Sequence, residues 1–266
     1  MLSKPDCRLL IFLILSTLFL TGCRNERSQI MLPSTPTISE IPSLLPANTL
    51  IPAITDRPSL AFNISDFAFP ASIDPAQPYL FYLHGKIIED QGIPAFSPDY
   101  GEYQYGAILE KLRGYGFVVI SEPRPANTDS LEYAKKIAEQ VTNLLEAGVP
   151  AKYITVVGAS KGAGITIFVS HLLGNKDINF VILAICDPTT VADLIQNQIT
   201  LVGNVLSIYD SADILAGSCQ GLFSYSEAKG LTQHDEVVLN VGTGHGILYK
   251  PLDDWTLPTL QWARKP

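Results

Sequence analysis

The most reactive pattern in this 266-residue chain is a serine set between two glycines where an apolar run gives way to helical spacing. Ile154-Thr155-Val156-Val157 is β-branched. Gly158-Ala159-Ser160-Lys161-Gly162 follows at once, and helical spacing resumes at Ala163. A serine hydroxyl attacks a carbonyl only when a neighbouring base removes its proton. Glycines two residues to either side let the backbone close tightly and push the hydroxyl outward. The helix beyond then offers free N–H groups and the positive end of its dipole to any negative charge that develops. Gly158, Gly162 and Gly164 do not spell G-x-G-x-x-G, and no G-x-x-x-x-G-K-[S/T] is present, which argues against a phosphate-cradling turn.

A base is available at His245, in Val241-Gly242-Thr243-Gly244-His245-Gly246, where the glycines free the loop to carry an imidazole over a sheet edge. The other histidines suit the role less well. His171 lies about three turns along the helix after Ser160, His234 precedes the last strand, and His84 ends an early strand where it would shape a loop. Three acids compete to orient the imidazole. Asp210 and Asp213 both follow the apolar run Val205-Leu206-Ser207-Ile208-Tyr209, and Asp187 follows the run before it; Asp210 could instead cap its turn through an Asx bond.

Positioning these groups requires a regular scaffold, and the spacing predicts one. Strands are expected at 79–83, 117–120, 153–157, 180–185, 205–209 and 237–241. Helices are expected at 107–115, 131–147 and 163–173, with a helical turn at 191–196. Ala134, Ile137, Ala138, Val141, Leu144 and Leu145 recur at three and four, and Gly148 and Pro150 stop that helix. Continuous apolar strands alternating with helices imply a parallel sheet covered on both faces. Right-handed crossovers then gather the ends of all strands, and hence the reactive residues, along one edge. The composition agrees: 47% hydrophobic, 17% charged. A net charge of -8 with no basic run excludes a nucleic-acid partner. The four cysteines form no CxxC pair, so no metal or other cofactor is expected.

Residues 78–262 resemble the α/β-hydrolase superfamily, through G-x-S-x-G after a strand and through the order Ser160, acid, His245 along the chain. The resemblance implies an α/β fold with a mostly parallel, doubly wound sheet and no large cap, since the 185–205 connection is short; residues 86–106 form the other sizeable loop at the mouth. It implies Asp213 as the acid, a few residues beyond the strand end, with Asp187 and Asp210 as alternatives. It implies an oxyanion hole built from the backbone N–H of Lys161 and a second N–H after His84-Gly85, that of Lys86 with Gly85 making room. The implied activity is a serine hydrolase acting on an ester-like bond. Acyl transfer uses the same residues, and a non-catalytic, membrane-tethered binding module on a hydrolase scaffold is the alternative. The Lys161 side chain could attract an anionic substrate group or be solvated at the helix start. Glu89 and Asp90, like Tyr100, Tyr103 and Tyr105, could line the mouth or serve elsewhere. Cys186 and Cys219 both follow strands near the same edge, and their pairing is left open.

The N-terminus reads as an address. Lys4 and Arg8 precede the apolar run Leu9 to Leu20, and Leu20-Thr21-Gly22-Cys23 follows, resembling the lipobox of bacterial lipoproteins. The expected organisation is a signal peptide over 1–22, a Pro/Ser/Thr-rich tether over 23–57 beginning at a lipid-modified Cys23, and a hydrolase-like domain over 58–266. The expected location is the bacterial cell envelope, with a lipid anchor in the membrane and an acyl ester or other small molecule as substrate.

Overall fold

The computed structural model describes residues 62–265. The signal segment, Cys23 and the tether lie outside the described residues. In chain order the elements are β1 (Tyr79–Leu83), α1 (Lys86–Gln91), β2 (Phe96–Ser97), β3 (Gly101–Glu102), α2 (Tyr105–Gly114), β4 (Val118–Ile120), α3 (Ser130–Glu146) and β5 (Ile154–Ala159). They continue with α4 (Lys161–Leu173), β6 (Asn179–Leu183), α5 (Pro188–Gln196), β7 (Asn204–Asp210), α6 (Gln220–Glu227), β8 (Gln233–Leu239) and α7 (Asp253–Ala263).

Six strands form one sheet in the order β4-β1-β5-β6-β7-β8, and every neighbouring pair in it is parallel. The chain moves outward from β1 to β4, then crosses back to β5 and continues the other way. The direction therefore reverses between β1 and β5, where open α/β sheets form a crevice at the carboxyl ends of their strands. Side chains alternate between two apolar layers. Tyr79, Phe81 and Leu83 of β1, with Val156, Phe180 and Ile182, face α3 and α4. Leu80 and Tyr82, with Val157, Val181 and Leu183, face α2 and α7. This is the parallel, doubly wound α/β sheet expected from the sequence, and among the described residues there is no large cap.

Helix α3 starts where Asp129 accepts hydrogen bonds from the N–H groups of Leu131 and Glu132, both at 2.9 Å. It buries Tyr133, Ala134, Ile137, Val141 and Leu144 along one stripe. Burial of each of Ile137, Val141 and Leu144 contributes about 1.5–3 kcal/mol. Helix α4 lies between the sheet and α3 and is buried on most sides. Among the described residues no helix is long and apolar enough to cross a membrane.

The structure departs from the expected elements at places with a physical cause. Strand β8 begins at Gln233 rather than 237, because an edge strand needs apolar side chains on only one side and can start on polar residues. The 86–106 loop contains α1 and the small β2–β3 pair; six residues are too few for helical periodicity to emerge. Helix α7, where the spacing predicts no element, contains Pro258, a residue that disfavours a helix interior. Buried Trp255 and Trp262 hold it against the sheet.

Cys186, after β6, and Cys219, at the start of α6, form a disulfide across a sequence separation of 33. In the chain-entropy account a loop of that size is worth about 3–4 kcal/mol. Replacing both (Cys186→Ala with Cys219→Ala) should lower the unfolding free energy by about 2–4 kcal/mol in a denaturant titration. A loss below about 0.5 kcal/mol would mean that the 187–218 segment holds its shape unaided.

Candidate active site

The turn between β5 and α4 is forced by two close approaches. A Cβ on Gly158 would lie 2.1 Å from the Gly162 carbonyl oxygen, and one on Gly162 would lie 1.9 Å from the Leu83 carbonyl oxygen. Both neighbours are backbone, so neither can yield. Ser160 sits at the apex with φ 52° and ψ −118°, and its N–H donates to the Leu183 carbonyl at 2.9 Å. A non-glycine residue in that region stores about 1–3 kcal/mol of strain, offset here by the packing around it.

The hydroxyl so presented meets the imidazole of His245. Ser160 Oγ lies 3.0 Å from His245 Nε2, and His245 Nδ1 lies 2.8 Å from Asp213 Oδ2. A carboxylate can only accept, so Nδ1 carries the proton and donates to Asp213. Nε2 of the neutral ring is then free to accept the serine proton. The Asp213 side chain is fully buried, and that of His245 is 11% exposed. The other Asp213 oxygen accepts the Leu215 N–H at 2.8 Å, so both carboxylate oxygens are engaged.

Asp210 serves the same arrangement from behind. Its carboxylate accepts from the N–H of Ala212 at 2.9 Å and from the N–H of Thr243 at 3.1 Å. It thereby ties the loop carrying Asp213 to the loop carrying His245, which is the Asx-type role open to it in the sequence. Asp187 caps α5 through the N–H groups of Thr189 and Thr190 and the Thr190 hydroxyl. Burial pushes its carboxyl up, but those hydrogen bonds outweigh burial and hold it below its ordinary value. The structure thus brings Ser160, His245 and Asp213 together, and it occupies Asp187 and Asp210 elsewhere.

The remaining histidines have other partners. His171 closes α4 and binds Thr200. His234 pairs in register with Val205 at the opposite edge of the sheet and stacks on Phe223. His84 is fully buried: its Nδ1 meets the Gly85 carbonyl at 2.8 Å, and its Nε2 accepts the Arg124 N–H at 2.8 Å. Burial first, and the Arg124 guanidinium second, push this imidazole down to about 3, so it stays neutral and fixed in one tautomer.

Two helix starts converge on the serine. Lys161 is the first residue of α4 and Lys86 the first of α1, so neither backbone N–H has an acceptor within its own helix. Gly85 precedes Lys86 beside the nucleophile. A Cβ there would lie 3.7 Å from that of Ser160, an ordinary contact. Glycine at 85 therefore leaves space over the serine rather than relieving a clash. The Lys86 side chain turns away to Asp90 at 2.5 Å. The Lys161 side chain is only partly exposed and is engaged within the protein: it binds Glu89 at 2.5 Å and the Thr128 carbonyl at 2.6 Å. Glu89, one of the two acids that could have lined the mouth, is buried. Tyr103 and Tyr105 are core residues, whereas Tyr100 packs beside His245 and Tyr249. A concave surface of about 800 Å³ lined by Pro150, Lys152, Asn204, Gln233 and Trp262 belongs to the opposite edge of the sheet and carries none of the reactive residues. Among the described residues no group of three or more His, Cys, Asp or Glu side chains is placed to hold a metal ion.

No protein-family model matches the chain, and no curated protein does. Solved structures do. SOBER1 of Arabidopsis thaliana matches at 12% identity and TM-score 0.48, over 71% of this chain and 98% of that one. A protein of Thermoplasma acidophilum described as a predicted CIB-like hydrolase matches at 18% identity and TM-score 0.45, over 73% and 89%. A dienelactone hydrolase candidate from Klebsiella pneumoniae matches at 13% identity and TM-score 0.49, over 74% and 90%. Likenesses this distant carry no functional argument. The fold class rests on the strand order, the parallel pairing and the turn at Ser160.

Gly162→Ala should cost at least about 3 kcal/mol of stability or abolish folding. Gly164→Ala, which faces open space two residues on, should be neutral or stabilise by up to about 1 kcal/mol; equal effects in urea titrations would contradict the close approach. His84 supplies a second expectation. Its folded value lies below the unfolded ~6.5, so its contribution is full above that pH and is lost as pH falls toward about 3. His84→Asn should therefore lose less stability than wild type between pH 6.5 and 3, and parallel curves would refute the assignment.

Proposed function

We propose that this protein is a serine hydrolase that cleaves an ester-like acyl bond through Ser160, His245 and Asp213. The observation that carries the reading is the unbroken relay, 3.0 Å from hydroxyl to imidazole and 2.8 Å from imidazole to buried carboxylate. In the proposed reaction Ser160 Oγ attacks the carbonyl carbon while its proton passes to His245 Nε2. The carbonyl oxygen becomes an oxyanion facing the N–H groups of Lys161 and Lys86. The C–O bond to the leaving group then breaks, and the leaving oxygen takes the proton from His245. Water gives a proton to His245 and attacks the acyl-serine ester; the acyl carbon–Oγ bond then breaks, Ser160 Oγ takes the proton back from His245, and the acid is released. Asp213 stabilises the imidazolium formed at each stage.

A fluorophosphonate probe tests the reading without knowledge of the substrate. Wild type should label and Ser160→Ala should not. A folded, unlabelled wild type would favour a binding module. With a short-chain p-nitrophenyl ester, Asp213→Asn should lower kcat about 10³–10⁴-fold, while Asp187→Asn should stay within about threefold. Comparable losses would reassign the acid.

We further propose that the chain is exported and held at the envelope by lipid on Cys23. The sequence around Leu9–Cys23 supports this, as does a disulfide of the kind that persists in oxidising compartments. Cys23→Ala should move the protein from the membrane fraction to the soluble fraction, and an unchanged distribution would remove the anchor.

A further inference from the structure

Beneath the proposed oxyanion hole lies a buried cluster of three charges that the relay does not use. Glu89 Oε1 accepts from Arg124 Nε at 2.7 Å, and Glu89 Oε2 accepts from Lys161 Nζ at 2.5 Å. The side chains of Glu89 and Arg124 are fully buried, and that of Lys161 is 20% exposed. Lys161 Nζ also donates to the Thr128 carbonyl, and Arg124 Nη2 to the His84 carbonyl. An apolar set of similar volume commonly stabilises a fold as well as a buried ion cluster does, so stability alone gives little reason for this one.

Its position gives a better one. The two backbone donors of the proposed oxyanion hole belong to different helices, and nothing covalent near the site fixes their spacing. Glu89 lies on α1, three residues after Lys86. Lys161 supplies the other donor from its own backbone. Arg124, on the segment after β4, grips both Glu89 and the carbonyl at the end of β1 that leads into Gly85. The carboxylate is matched by two cations, so the cluster keeps one net positive charge below the place where an oxyanion would form.

We infer that Glu89, Arg124 and Lys161 are positioning residues: an internal salt bridge that fixes the start of α1 against the start of α4 and so sets the spacing of the two oxyanion donors. This inference rests on the hydrolase reading and extends it.

Substitution at the Lys161 side chain leaves its N–H in place, which separates the bridge from the donor. With the full chain, Lys161→Met and Glu89→Gln should each lower kcat for a p-nitrophenyl ester, and the fluorophosphonate labelling rate, by about 10–100-fold. KM should change less than about threefold, and circular dichroism should remain native. Lys161→Arg should recover much of the rate. The double variant should be no slower than the worse single one, because either change breaks the same bridge. Lys161→Met kinetics within twofold of wild type, multiplicative losses in the double variant, or a loss confined to KM would each overturn the inference and leave the hydrolase reading intact. Wild type that fails to label would overturn both. If Glu89→Gln does not fold, Lys161→Met and Lys161→Arg decide alone.

Discussion

Helix α4 approaches the end of β1 so closely that the Leu83 carbonyl occupies the space a side chain at 162 would need. Much else follows from this contact. It draws the nucleophile turn over the crevice where the sheet reverses its winding order, and it brings Ser160 beside Gly85. It also sets the start of α4 close to the start of α1, two helix starts whose first N–H groups have no acceptor within their own helices. A larger side chain at 162 would separate the helix from the strand, and the backbone donors would move with it.

The other half of the site is held differently. Asp213 and His245 come from loops after β7 and β8, adjacent strands whose register is fixed by seven paired residues from Asn204 with Gln233 to Asp210 with Leu239. Asp210, the last residue of β7, then bonds the N–H groups of Ala212 and Thr243, one in each loop. One buried carboxylate thus organises the segments that carry a second carboxylate and an imidazole. The disulfide from Cys186 to Cys219 closes the far side of the acid-bearing loop. The nucleophile side depends on backbone contact, and the acid–base side on side chains that cap backbone.

Local signals made much of this legible. The strand-turn-helix around Ser160, the glycine-flanked His245 and the long stripe of α3 are each visible within a dozen residues, and the parallel sheet follows from their alternation. Three matters were hidden because they depend on partners far along the chain. The burial of Glu89 is decided by Arg124 and Lys161, thirty-five and seventy-two residues away. A short polar-looking stretch, Lys86 to Gln91, becomes a helix because it packs beneath the site. The pairing of Cys186 with Cys219 requires both loop geometries at once. Asp210 and Asp213 are near neighbours in sequence; the resemblance points to Asp213 as the acid and an Asx bond is open to Asp210, and in the fold Asp213 faces the ring while Asp210 faces peptide groups.

A sheet of six parallel strands has two open borders, and each is defended. Strand β4 is three residues long, too brief to template another chain. Strand β8 opens on Gln233-His234-Asp235-Glu236, and a second copy approaching side by side would set acidic residues near acidic residues. Growth by strand addition is discouraged at both borders.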